Sequence, residues 1–355
     1  MRPSDAQVWG AALGFAADAL FGDPRRGHPV AAFGRAAGAA ERLMWRDNRA
    51  VGALYTALCA GGATALGGVL AAAAGRVGNG RGGEGSKSSE DSGYAEGAGD
   101  TAPRPRGAAP VVVTALATWT VLGGSGLARA ARAVGSALEA GDLELARELL
   151  PALCGRDPQT LDEAAVARAV VESVAENTSD AVVGALVWGA LAGVPGLTGF
   201  RAVNTLDAMV GHRSSRHRRF GWAAARLDDV AGRPGARLTA ALAALAGPDP
   251  RGAVRAWRAD AHRHPSPNAG PVEASFAGAL GLRLGGTLSY GGRTEHRPVL
   301  NSPGRAVRAG DIDRAVRLSR RVGLLALAST AFAGAMARRV HERYERHHRY
   351  ERGAR

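Results

Sequence analysis

Aromatic residues make up only 5% of the 355-residue chain, although 46% of it is hydrophobic. The apolar side chains are mostly Ala, Val and Leu, beside 50 glycines. That composition argues against a β-rich soluble domain and suits close helix–helix packing in a bilayer. Lysine is nearly absent: Lys87 is the only one, so the formal charge of +13 rests on arginine. Such a balance reflects genome composition better than a tuned basic patch. No zinc-finger, basic-zipper or aromatic RNA-binding signature accompanies it, and nucleic acid is excluded as a partner. The two cysteines, Cys59 and Cys154, have neither metal spacing nor a disulfide framework. A secretory signal is also missing, because Asp5 and Asp18 interrupt the first apolar stretch and no cleavage pattern follows it. Membrane insertion by internal spans is therefore expected.

Long uncharged runs are present. Val51 to Gly75 and Ala108 to Ala128 each exceed the ~20 residues that cross a bilayer as a helix. Ala181 to Phe200 is long enough but is broken by Gly193-Val194-Pro195-Gly196, so it spans, kinks or re-enters. Val322 to Ala337 is shorter and sits between arginine pairs. Buried helices of a soluble α-domain are the competing reading, given a mean hydropathy of −0.09.

The fold class expected is all-α: a polytopic membrane protein with ~4–5 transmembrane helices, one domain over residues 1–355. The segment 76–107 reads as a low-complexity disordered loop within it, and 338–355 as a basic C-terminal tail at a membrane surface. Gly80, Gly85 and Ser86-Lys87-Ser88 imitate a phosphate-binding loop, but the Gly-Lys adjacency is broken and no strand precedes it. Segments Ser136 to Leu149 and Asp162 to Val174 read as polar helices. Residues 201–321 hold 21 arginines against 9 acids, so this segment is assigned to the cytoplasm.

Chemistry concentrates in four motifs. In Glu172-Ser-Val-Ala-Glu176-Asn177-Thr-Ser-Asp180, a helix would stack three carboxylates on one face, where like charges repel unless a cation compensates. Magnesium is the natural candidate on Glu172, Glu176 and Asp180; a solvated acidic face, or Asp180 capping the next helix, explains the spacing equally. Asn204-Thr-Leu-Asp207 and Ala225-Arg226-Leu-Asp228-Asp229 add more acids. His264-Pro-Ser266-Pro-Asn268 is a rigid turn that presents hydrogen-bonding groups.

Together with Asp18, Gly22-Asp23-Pro24, His28-Pro29-Val30, Arg283-Leu-Gly-Gly286 and Tyr290-Gly-Gly292, these blocks resemble, in order, the adenosylcobinamide-phosphate synthase family. The resemblance covers nearly the whole chain. It departs at the polar insert and at Phe200-Arg201, where an aromatic-basic pair beginning with Tyr is expected. It implies a multi-pass cell-membrane enzyme that joins adenosylcobyric acid to (R)-1-amino-2-propanol or its O-phosphate, using ATP and Mg2+, with its active-site segments cytoplasmic. Glu172, Glu176, Asp180, Asp207, Asp228 and Asp229 would then be catalytic or hold metal. Arg226 and His264 would hold the acceptor phosphate, and Asn177, Asn204, Ser266 and Asn268 would contact substrate, with Asp23 and His28 either in the site or fixing a turn. Membrane lipid and other cobalamin-biosynthesis enzymes are the expected partners. A membrane sensor of the same superfamily and a small-molecule transporter are the competing functions.

If all four apolar runs cross the membrane, the Glu172 and Asn204 motifs fall on opposite sides, which one active site does not tolerate. Parity is restored if Ala181 to Phe200 re-enters or is buried and Asp5 to Leu20, or Ala236 to Gly247, takes up the difference.

Overall fold

The computed structural model describes residues 3–23, 27–79, 108–212, 214–290 and 293–353. The imitation phosphate loop and the polar loop from residue 80 to 107 lie outside them.

The first helices are α1 (Pro3–Phe21) and α2 (Pro29–Met44), the second started by Pro29 and by His28, whose Nδ1 accepts from the Val30 N–H at 3.2 Å. Helix α3 (Arg49–Asn79) runs past the expected Arg76 boundary before the chain returns in α4 (Ala108–Val121). After Gly123 follow α5 (Gly124–Glu139) and α6 (Leu143–Leu149). The expected single helix from Ser136 to Leu149 is therefore split, by Gly141 at φ +77. Asp162 caps α7 (Glu163–Thr178) by accepting from the Ala165 N–H at 2.8 Å. Then come α8 (Gly184–Leu206), α9 (Trp222–Ala231), α10 (Arg233–Ala246), α11 (Pro250–Asp260) and α12 (Ala269–Leu280). An antiparallel hairpin, β1 (Leu284–Tyr290) and β2 (Arg293–Leu300), interrupts the helices, and α13 (Ala309–Gly353) takes in the expected basic tail.

By length and composition three described stretches can cross a membrane: Arg49–Val77, Ala108–Glu139 and Glu163–Gly211. Val322 to Ala337 is part of α13 and is not one of them. The third stretch is no straight rod. At Gly193 the backbone leaves the helix (φ 64, ψ −146), and Pro195 follows. Beyond that corner the chain runs back along itself: a Cβ on Gly189 would lie 3.0 Å from Leu197, and Gly184 packs against the Phe200 ring. The two arms, residues 184–192 and 194–206, are ~14 and ~20 Å long, each short of the ~30 Å hydrocarbon thickness. The tip packs on α3, where a Cβ on Gly67 would be 3.1 Å from Pro195.

Helices α1 and α4 run parallel, Gly10 against Thr114 and Gly14 against Thr118, while α13 opposes them, with Gly323 against Phe15. Large apolar side chains stand exposed along α1, α3, α4 and α13, among them Trp9, Leu13, Leu58, Leu66, Val69, Val112 and Phe332. Exposed apolar faces of this extent suit lipid. The re-entry places Asp180 and Asn204 at the same end of the hairpin, which resolves the conflict between the Glu172 and Asn204 motifs. Reporter fusions placed before Ala181 and after Phe200 are expected to register the same side of the membrane; opposite-side signals would refute the hairpin.

Candidate functional site

The mouth of this hairpin is built from two π-turns, Ser179–Val183 on the entering arm and Asp207–Gly211 on the leaving one. Such turns are uncommon and frequently mark functional sites. Each carries one carboxylate, Asp180 and Asp207. Glu176 lies one helical turn before Asp180, and α9 brings Asp228 across the cleft, where Asn204 Nδ2 donates to its Oδ1 at 3.5 Å. Glu176 is solvent-exposed and Asp180, Asp207 and Asp228 are half-buried, so the acids open onto a cleft instead of being sealed in the core. Asp228 feels the charges of Asp207, Asp229 and Glu176. Burial first, and then these neighbours, push its carboxyl up to about 7.

Glu172 stands apart from that group. Its side chain is buried, ion-pairs with the equally buried Arg156, and accepts from the Gly285 N–H at 2.7 Å. It ties α7 to the start of the β-hairpin. Among the described residues no three His, Cys, Asp or Glu side chains converge as a metal cage, so the expected trio Glu172, Glu176 and Asp180 is not assembled as one. The remaining acids still leave the cleft short of positive charge, which fits a cation that completes its shell with phosphate oxygens and water.

The His264-Pro-Ser-Pro-Asn turn is not an exposed loop. His264 and Asn268 are buried, and Asn268 Nδ2 donates to the Asp229 and Asp228 carbonyls at 3.1 and 3.4 Å, anchoring the C-terminal half of α9. Ser266 Oγ accepts from the Ala269 N–H at 3.1 Å and so starts α12. His264 Nε2 faces Glu273 at 3.8 Å and Arg297 at 3.4 Å. Burial raises the Glu273 carboxyl well above its usual range, helped by Glu172 and Glu176. Beside this turn lies a cavity of about 760 Å³ whose lining includes Arg226, Asp229, Arg233, Arg237, Trp257 and Arg258. It shares Asp229 with the edge of the acidic cleft. Arg226 is itself paired to Asp229 at 3.1 Å.

Asp23, His28 and Asn177 are brought together elsewhere, with Arg201, around a smaller cavity of about 210 Å³. Asp18, by contrast, is structural: its carboxylate accepts from Ser125 Oγ at 3.0 Å and from the Ser125 N–H at 3.2 Å. Motif reading did not find Arg156 or Arg297, gave Glu273 no role, and met Arg201 only as a family departure. None of the four belongs to a local pattern; long-range folding alone brings them in.

A helical hairpin that carries a group of acids next to an arginine-lined cavity, among helices long and apolar enough to span a bilayer, defines an all-α membrane protein. The family model described as CobD/Cbib protein matches residues 11–319. "Cobalamin biosynthesis protein CobD" of Mycobacterium bovis is 48% identical over 324 residues, covering 89% of this chain and 93% of its own. The protein of the same name from Mycobacterium tuberculosis is 49% identical over 315 residues (88% and 90%), and that from Geobacter metallireducens 40% over 293 (81% and 84%). No solved structure matches this chain. The chain belongs to the CobD/Cbib family and has a role in cobalamin biosynthesis.

Proposed function

We propose that the protein is an ATP-dependent amide synthase that joins a propionate carboxyl of adenosylcobyric acid to (R)-1-amino-2-propanol or its O-phosphate. The observation that carries this reading is the adjacency of a group of acids and an arginine-lined cavity that meet at Asp229, next to Asp228. A carboxylate is a poor acyl donor, so it must first be activated. Its oxygen attacks the γ-phosphorus of ATP, ADP leaves, and an acyl phosphate forms; the amine then attacks the carbonyl carbon, losing a proton, and phosphate leaves.

Arg233, Arg237 and Arg258 suit the nucleotide phosphates, and Trp257 in the same wall offers a flat apolar face to its base. Since no three acids among the described residues converge as a cage, Asp180 with Asp207 or Asp228 would hold magnesium together with phosphate oxygens, and its contribution would be to neutralise phosphate charge. Glu176, solvent-exposed in the cleft, is placed to accept the proton lost by the amine. The arginine excess on the site side supports a cytoplasmic, plasma-membrane orientation.

Detergent-solubilised protein given adenosylcobyric acid, ATP, Mg2+ and either acceptor is expected to form the amide adduct seen by mass spectrometry. No adduct with either acceptor, from folded protein, would remove the synthase reading and favour a sensor or carrier. The pH profile gives a second check. Asp228 keeps its proton below about 7, so a rate that needs its carboxylate should rise through that pH, and Asp228→Asn should flatten the rise. Stability should run the other way. The unfolded chain loses this proton near ~4, so between ~4 and 7 the folded state binds more protons and stability falls as pH rises.

A further inference from the structure

We propose that the small cavity between α5, α7 and the hairpin binds the amine acceptor as a zwitterion, with Asp23 taking the ammonium group and Arg201 the phosphate. The proposal rests on the synthase reading above and assigns that reading a site for its smaller substrate. At about 210 Å³ the cavity is far too small for a corrinoid and fits a short amino-alkyl phosphate. Its lining is amphoteric. Asp23, His28, Asn177 and Arg201 supply polar groups, and Leu122 and Leu127 an apolar wall for a methyl group.

Two buried polar atoms in its lining have no hydrogen-bond partner among the described residues: Arg201 Nε and Asp23 Oδ1. Native proteins satisfy nearly all such atoms, so each of these asks for a ligand group. Arg201 and Asp23 are near enough for their charges to interact but form no direct ion pair with each other. Among the described residues Asp23 pairs only with Arg129, at 3.9 Å, through its other oxygen. A molecule with a cation at one end and an anion at the other bridges that gap. His28 uses Nδ1 to cap α2, which leaves Nε2 for the cavity.

The position suits the chemistry as well. Asn177 lies between Glu176 and Asp180 in sequence, and the charge of Arg201 also acts on Asp180. An ammonium held at Asp23 can thus pass a proton to the carboxylates of the cleft; its nitrogen lone pair forms the C–N bond as the acyl C–O bond breaks and phosphate departs. Arg226 and His264, the residues expected from sequence to hold the acceptor phosphate, line the larger cavity, whose size suits the nucleotide.

The test is calorimetric titration of the full-length solubilised protein with (R)-1-amino-2-propanol O-phosphate, with no nucleotide or corrinoid present. Arg201→Met and Asp23→Asn are each expected to weaken binding at least about tenfold, with Arg201→Lys intermediate, while ATP binding is retained. Aminopropanol without phosphate should be indifferent to Arg201→Met, and propyl phosphate indifferent to Asp23→Asn. Should Arg201→Met lose ATP binding too, Arg201→Lys and Asp23→Asn make the same comparison. No binding by the wild type, or unchanged affinity in folded variants, overturns the assignment. If the variants bind normally while the wild type forms amide, this site is wrong and the synthase stands. If the variants lose the amino phosphate but no amide forms, the site stands and the synthase reading falls.

Discussion

Asp180→Asn is expected to lower the rate of amide formation by about 10³, equivalent to about 4 kcal/mol of lost transition-state stabilisation. The carboxylate sits at the mouth of the hairpin among Glu176, Asp207, Asp228 and Arg201, so it faces every group that handles charge in the cleft. Asparagine keeps its size and removes the negative charge that would help hold the cation. The loss should appear in kcat and in the magnesium dependence, with thermal stability close to wild type, since Asp180 makes no hydrogen bond that holds two elements together among the described residues. An Asp180→Asn protein with unchanged turnover and unchanged magnesium response would end the assignment of these acids to catalysis.

Arg156→Met should act through stability instead. Glu172 and Arg156 are both buried, at 5% side-chain exposure, so removing the arginine leaves a carboxylate that, among the described residues, keeps only the Gly285 N–H. Breaking a buried pair in this way typically costs about 3–5 kcal/mol. Replacing both partners, Arg156→Met with Glu172→Leu, should restore most of it, because no uncompensated charge remains. Chemical denaturation in detergent measures both. A single variant within about 1 kcal/mol of wild type would show that water reaches the pair.

These two expectations also mark where the sequence was legible. The uncharged runs at Val51 and Ala108 could be read directly, because crossing a bilayer is a demand on composition over consecutive residues. The Gly193-Val-Pro-Gly break could be read as a kink or a re-entry, and the requirement that two acidic motifs share one side pointed to re-entry. Glu172 was read with Glu176 and Asp180 because helical spacing places them on one face. Spacing does not reveal that Arg156, in a turn sixteen residues earlier, neutralises one of the three. The same holds for the polar turn at His264, which looked exposed and is buried under α9 by Asn268. Arg201 stood out only as an oddity, since its importance lies in a buried Nε without a partner among the described residues, a property of packing.

Residue count matters at the hairpin mouth as much as residue identity. A π-turn holds one residue more than the α-helix needs for the same advance, so each arm joins its neighbour with its phase offset by about 100°. Deleting a single apolar residue such as Val183 would let the entering arm relax into regular helix. The hairpin would then turn about its own axis relative to α7, swinging Arg201 away from Asp23 while leaving every charged residue in the chain. At these two turns the chain should tolerate a changed side chain better than a changed length.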